Sequence, residues 1–198
     1  MTNPAKPEEQ ASIPYFGLTM VRPNMLDIPE AAMPGSYSIR SFRTGDEEHW
    51  ARIEQAAGEF KSTEAALRRF RDEFGGYTDE MEQRCLFVTD ERGNPIGTTT
   101  AWYGELDGSV TGRIHWVAIV PEYQGRKLAK PLLSAALRTM AQFHDNAYLT
   151  TQTTSYKAVS MYLKYGFKPV IRTPECADGW KLMERLLGRS IFDEDNIR

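Results

Sequence analysis

Apolar and polar residues alternate with two different periods along this chain, and each change of period marks an element. Tyr37-Ser-Ile-Arg-Ser-Phe42 alternates with period two and predicts a strand. Thr44-Gly-Asp-Glu47 reads as a capping box, in which threonine and glutamate satisfy each other's helix-start donors. Trp50, Ile53 and Ala57 share one face of the helix it opens, and Gly58 stops that helix. A second helix runs from about Ser62, with Leu67, Phe70 and Phe74 on one side. Arg68, Arg69 and Arg71 lie mostly on another, and Gly75-Gly76 ends it. Cys85 to Thr89 and Ile96 to Tyr103 read as strands joined by a turn containing Arg92-Gly-Asn-Pro95, and Arg113 to Val120 as a third strand of this meander. A helix from about Lys127 to Phe143 carries Leu128, Leu132, Leu133, Leu137 and Met140. A strand (Ala147 to Gln152), a helix with Ala158, Met161, Tyr162 and Tyr165 on one face, and a strand (Phe167 to Ile171) follow. Trp180, Met183 and Leu187 then fall at helical spacing between Gly179 and Gly188, where a last strand is not legible. The order β-α-α-β-β-β-α-β-α-β predicts the α/β class, a mixed sheet with helices on its faces.

Ahead of this pattern, prolines at 4, 7, 14, 23, 29 and 34 exclude a region that is mostly helix or central sheet. Gly17 to Arg22 alternates well enough for one short strand, expected at an edge and a candidate for part of the missing strand. Residues 1–35 therefore read as an extension packing on a domain of residues 36–198, with the first ten frayed. At 198 residues a single core needs no staples, and 41% hydrophobic with 26% charged residues is a globular composition. The net charge of −3 lacks the footprint of a nucleic-acid binder, though a local basic pocket for a small anion is compatible with it. Cys85 and Cys176 are too few for a disulfide framework or a four-thiolate metal site, and fit a reducing compartment. With no apolar N-terminal stretch and no run near the roughly 20 apolar residues of a membrane span, a cytoplasmic protein without membrane partners is expected.

The chemistry concentrates in Trp116-Val-Ala-Ile-Val-Pro-Glu-Tyr-Gln-Gly-Arg-Lys-Leu-Ala-Lys-Pro-Leu-Leu133. A strand ends at proline, a polar loop follows, and an amphipathic helix begins. Such a junction exposes amide donors at the positive end of a helix and can hold phosphate. Arg126, Lys127 and Lys130 add positive charge there. An ordinary βα connection with solvated basic residues is the competing reading. Neither the Gly-x-x-x-x-Gly-Lys-Ser/Thr loop nor the dinucleotide Gly-x-Gly-x-x-Gly fingerprint is present here.

Joined to Ser155-Tyr-Lys-Ala-Val-Ser-Met-Tyr-Leu-Lys-Tyr-Gly-Phe167, this segment resembles the GNAT superfamily of N-acetyltransferases. That family's pyrophosphate motif, Arg/Gln-x-x-Gly-x-Gly/Ala, corresponds to Gln124-Gly-Arg-Lys127-Leu-Ala129, with Lys127 in place of a glycine. Its later motif matches Ala158 and Tyr162-Leu-Lys-Tyr-Gly166-Phe167, with Ser155 where asparagine is usual. The resemblance implies a GNAT-like fold with an extra N-terminal strand and a C-terminal helix. It also implies acetyl transfer from acetyl-CoA to a primary amine, small molecule or peptide. Coenzyme A would bind through the backbone of Val117, Ala118 and Ile119, through the loop Gln124, Gly125, Arg126, Lys127, Leu128, Ala129 and Lys130, and beside Ser155. Lys127 either pairs with phosphate or obstructs it.

Tyr162 stands where the family often has its general acid, since a phenol can protonate a thiolate at neutral pH. The core-aromatic reading competes with that role. His115 is the best-placed titratable base and resembles one of the histidines serving serotonin N-acetyltransferase. Alternation along Arg113 to Val120 puts it on the face of Val117 and Ile119. A structural histidine and Glu122 acting through water are the alternatives. The three histidines form no metal-ligand pattern, and neither cysteine has the surroundings of a nucleophile, so direct transfer without metal is expected. The acceptor is not legible, and a homodimer stays open. A non-catalytic acyl-CoA-binding sensor on the same fold is the rival function.

Overall fold

Residues 13–192 are described by the computed structural model of the chain. They form β1 (Gly17–Arg22), β2 (Ser38–Ser41), α1 (Glu47–Ala56), α2 (Thr63–Phe74), α3 (Thr78–Arg84), β3 (Cys85–Thr89), β4 (Pro95–Leu106), β5 (Ser109–Ile119), α4 (Ala129–Met140), β6 (Ala147–Gln152), α5 (Tyr156–Lys164), β7 (Lys168–Val170) and α6 (Pro174–Leu187). The expected α/β order is present, with one short helix, α3, added. The segment expected to be frayed lies outside the described residues. Described residues fall into two compact units, 27–145 and 13–26 with 146–192.

In the first unit β2, β3, β4 and β5 pair antiparallel in that order. Eight consecutive buried positions at the start of β4 mean that both sheet faces are covered there. Trp50 on α1 is fully buried and meets Phe70 and Phe74 of α2 at 5.3 and 6.1 Å between ring centroids, while Phe74 reaches Trp102 of β4 at 4.9 Å. These edge-to-face rings fix α2 on the sheet face that carries Thr98, Thr100 and Trp102. Glu54 of α1 is buried with the aromatics, and burial followed by the nearby Glu59 charge pushes its carboxyl well above the usual range.

The capping box does not form. Asp46 takes the N-cap of α1, its carboxylate accepts the Arg43 amide at 2.7 Å, and both terminal nitrogens of Arg40 hold it. Thr44 instead donates its hydroxyl to Glu82 at 3.0 Å. Arg40 and the Arg43 amide occupy the Asp46 carboxylate and Glu82 takes the Thr44 hydroxyl, so the N-cap side chain makes no hydrogen bond to the amides of α1.

In the second unit the order is β6, β1, β7, all antiparallel. The expectation of an edge position for β1 is corrected, because it is paired along both sides. It also supplies the strand that the Trp180 region, folded as α6, does not. Thr153 fastens the approach to β1 by accepting the Phe16 amide at 3.0 Å and donating to the Pro14 carbonyl. A β-carbon at Gly179 of α6 would lie 2.8 Å from the Phe16 side chain and 3.0 Å from that of Leu18, so only glycine lets α6 sit this close to the strand. None of the helices among the described residues is long and apolar enough to cross a membrane.

Candidate active site

β5 is interrupted where the chemistry was expected. Thr98 pairs with Ala118 and Thr100 with His115, so three steps on β5 face two on β4. The extra residue is a β-bulge, and Trp116 takes it up with φ of +51°. Cross-strand partners share a face, which puts His115 with Ala118. The sequence expectation that His115 shares the face of Val117 and Ile119 is thereby corrected: strict alternation fails across a bulge.

The bulge has a second effect. Successive residues of a regular strand point to opposite faces, yet His115 and Trp116 both reach one carboxylate on α2. His115 Nε2 lies 2.6 Å from Glu73 Oε1, and Trp116 Nε1 donates to Glu73 Oε2 at 3.1 Å. Arg69, one turn earlier, donates to the same Oε2 at 3.0 Å. Burial works to raise the Glu73 carboxyl, but the His115 hydrogen bond and charge, the indole N–H and Arg69 outweigh it and hold the group at about 2. It is therefore a carboxylate throughout the neutral range. His115 is 8% exposed, and desolvation pushes its pKa below the ordinary value. The Glu73 hydrogen bond and charge oppose that fall, while the charges of Arg113 and Arg69 add to it.

Beyond β5, a 3-10 turn at Pro121–Tyr123 leads into the loop. Gln124 folds back to donate from Nε2 to the Ile119 carbonyl at 2.9 Å, tying the loop to the end of the strand. Gly125 and Lys127 both have positive φ, +76° and +65°, and Leu128 then turns right-handed before α4 begins. Left- and right-handed residues in succession turn backbone N–H groups toward one side, the concavity that holds anions. Gln124, Gly125, Arg126, Lys127 and Lys130 are exposed at the start of α4, while Leu128 anchors the loop in the core. Arg126 is already engaged, donating to the Tyr37 hydroxyl at 2.8 Å and to the Glu122 carbonyl at 3.1 Å. Lys127 thus keeps the backbone course of a glycine without being one. Relieving a left-handed lysine is worth about 1 kcal/mol, so Lys127→Gly is expected to raise Tm by roughly 2–4 °C. An unchanged or lower Tm in calorimetry would mean that the lysine makes contacts that offset the strain.

The profile of the acetyltransferase (GNAT) family matches residues 42–167, which spans the bulge, the loop and the Tyr162 motif. The chain belongs to this family. A mycothiol acetyltransferase from Pseudarthrobacter chlorophenolicus is 30% identical over 154 residues, covering 71% of this chain and 45% of that protein. The GNAT chain thus spans about half the length of the curated relatives it matches. Among solved structures, a GCN5-related N-acetyltransferase from Sphaerobacter thermophilus superposes with a TM-score of 0.60 at 22% identity, over 78% of this chain and 48% of that one. An aminoglycoside N-acetyltransferase in complex with CoA superposes with a TM-score of 0.55 at 16% identity, over 69% of this chain and 91% of that one.

The remaining GNAT motif lies in the second unit. Ser155 is the N-cap residue of α5, and its hydroxyl accepts Gln152 Nε2 at 3.0 Å. Tyr162 is buried on α5 with its ring 6.0 Å from Phe167, edge to face, and Gly166 turns between them with φ of +79°. Trp116 had no role in the sequence reading, and nothing there joined Glu73 to His115. Glu73 lies 42 residues before His115, and no local spacing relates the two.

Proposed function

We propose that this chain transfers the acetyl group of acetyl-CoA to a primary amine by direct attack. The observation that carries the reading is the loop Gln124 to Lys130, whose left-handed turns and helix-start amides present a phosphate cradle at the end of β5. The residues present fit the nucleotide end of coenzyme A. A β-carbon at Gly125 would meet nothing within 4 Å among the described residues, so the outside of the turn is open. The backbone of Gly125 to Lys130 would hold the pyrophosphate, with the ammonium groups of Lys127 and Lys130 beside it. Main-chain groups of Val117, Ala118 and Ile119 would hold the pantetheine arm as an added strand. Acetyl-CoA supplies the thioester. In this reading His115 accepts the proton of the amine, and the Tyr162 hydroxyl gives one to the departing sulfur. Direct attack is favoured over an acyl-cysteine, because Cys85 is fully buried and burial pushes its thiol up to about 12. Two buried free cysteines also fit a cytoplasmic setting.

Thiol release from acetyl-CoA across a panel of small primary amines and peptide N-termini tests the activity, with the acceptor named by the mycothiol acetyltransferase relatives as one arm. Saturable release with one class is expected; coenzyme A binding with no release anywhere in the panel would favour the acyl-CoA sensor. Binding is tested separately by calorimetry. Coenzyme A affinity should fall as salt rises, since the loop is exposed and screened, and pantetheine lacking the pyrophosphate should bind far more weakly. Lys127→Gly should cost up to about fivefold in affinity, the upper value of an exposed ion pair. No heat at millimolar coenzyme A would overturn the cradle.

A further inference from the structure

Glu73 is a side chain outside both family motifs, 42 residues from His115 in sequence, yet it touches the proposed base directly. We propose that Glu73 is a positioning residue, which fixes His115 in the tautomer protonated at Nε2 and so leaves Nδ1 as the atom that takes the amine proton. The catalytic half of this statement rests on the base role proposed above for His115; the tautomer half does not.

Glu73 Oε2 already accepts from two groups that can only donate, the Trp116 indole N–H at 3.1 Å and Arg69 Nε at 3.0 Å. Oε1 faces His115 Nε2 at 2.6 Å. An ionised carboxylate has no hydrogen to give, so the hydrogen between Oε1 and Nε2 belongs to the imidazole. A neutral ring has one N–H, and its other nitrogen, Nδ1, therefore holds the lone pair. The charged groups acting on His115 are Glu73 and Arg69 from α2 and Arg113 from β5 itself. Burial and the two arginines keep the ring neutral, while Glu73 decides where its single hydrogen sits.

The same carboxylate braces the bulge. Trp116 sits in the left-handed region, a strained conformation for a bulky residue, and the hydrogen bond from its indole to Glu73 holds it there. In the reaction the amine nitrogen loses a proton to Nδ1 as its bond to the acetyl carbon forms. The carbon–sulfur bond breaks, and sulfur takes the Tyr162 proton. The imidazolium so formed is stabilised by the Glu73 carboxylate and later returns its proton to solvent, from which the Tyr162 phenolate regains its own.

Glu73→Gln gives the test. The amide has one acceptor oxygen, and the pair Trp116 and Arg69 competes for it with two donors. The amide NH2 then faces His115 Nε2, which must become an acceptor, and the ring is driven to the Nδ1–H form. Imidazole nitrogen-15 shifts of histidine-labelled protein report the tautomer, with the His115 signal identified by its loss in His115→Gln. The expected result is Nε2–H in the native chain and Nδ1–H in Glu73→Gln, accompanied by a loss of kcat/KM of about 10²-fold or more. A native Nδ1–H ring, or a ring unchanged in Glu73→Gln, overturns the proposal. A switched tautomer with unchanged rate upholds the positioning of the ring and overturns the base role of His115. Should Glu73→Gln fail to fold, the native spectrum recorded across pH decides the tautomer alone.

Discussion

Tyr162→Phe is expected to slow single-turnover acetyl transfer by about 10²–10⁴-fold while leaving coenzyme A affinity and the melting temperature nearly unchanged. The range is that of a lost general acid. The side chain is buried against Phe167, and a phenyl ring keeps that edge-to-face contact and almost all of the packing area. What is removed is the hydroxyl, and with it the hydrogen that the proposed mechanism sends to sulfur. A slowing of less than about threefold would return Tyr162 to a purely structural aromatic. A fall in Tm by many degrees would instead show that the hydroxyl is needed by its folded surroundings.

His115→Gln is the second large effect, and its signature is a pH profile. A base must be neutral to act, so kcat/KM should rise with pH through the pKa of His115. Desolvation, with Arg113 and Arg69, shifts that pKa down from the ordinary 6.5 despite Glu73. The rising limb should therefore lie on the acid side of 6.5. The glutamine variant should lose the limb, with at least a tenfold drop on the plateau. Two acceptor amines of different pKa separate this limb from ionisation of the substrate. A limb that moves with the amine and survives in His115→Gln would make His115 structural and pass the proton to Glu122 through water. The same shift has a consequence for stability. The folded-state pKa lies below the unfolded one, so the contribution of His115 is intact above the unfolded value and lost as pH falls.

Elements with a strong internal period were legible from the chain. β3 and β6 fall on the expected residues, and α4 and α6 carry their apolar faces as read. α3 was missed because in Thr-Asp-Glu-Met-Glu-Gln-Arg only Met81 and Arg84 are buried, which leaves no apolar period to read. The Thr44 box failed because its hydroxyl goes to Glu82, a partner on another helix that the local signal does not contain.

The sequence by itself determined the order of elements apart from α3, the phosphate-type junction after β5 and the family resemblance, because each rests on neighbours within a dozen residues. A helix start, a loop of small and basic residues and a Tyr-x-x-x-Gly-Phe turn are local devices whose physics is written in adjacent side chains. Tertiary structure decided three other things. It placed β1 between β6 and β7, a pairing of segments more than a hundred residues apart. It let Lys127 follow a left-handed course normally given to glycine. It also inserted one residue at Trp116, turning two successive side chains to one carboxylate and moving His115 off the face that alternation assigns. A bulge is a mismatch between two strands, and neither strand's own pattern contains the count of the other.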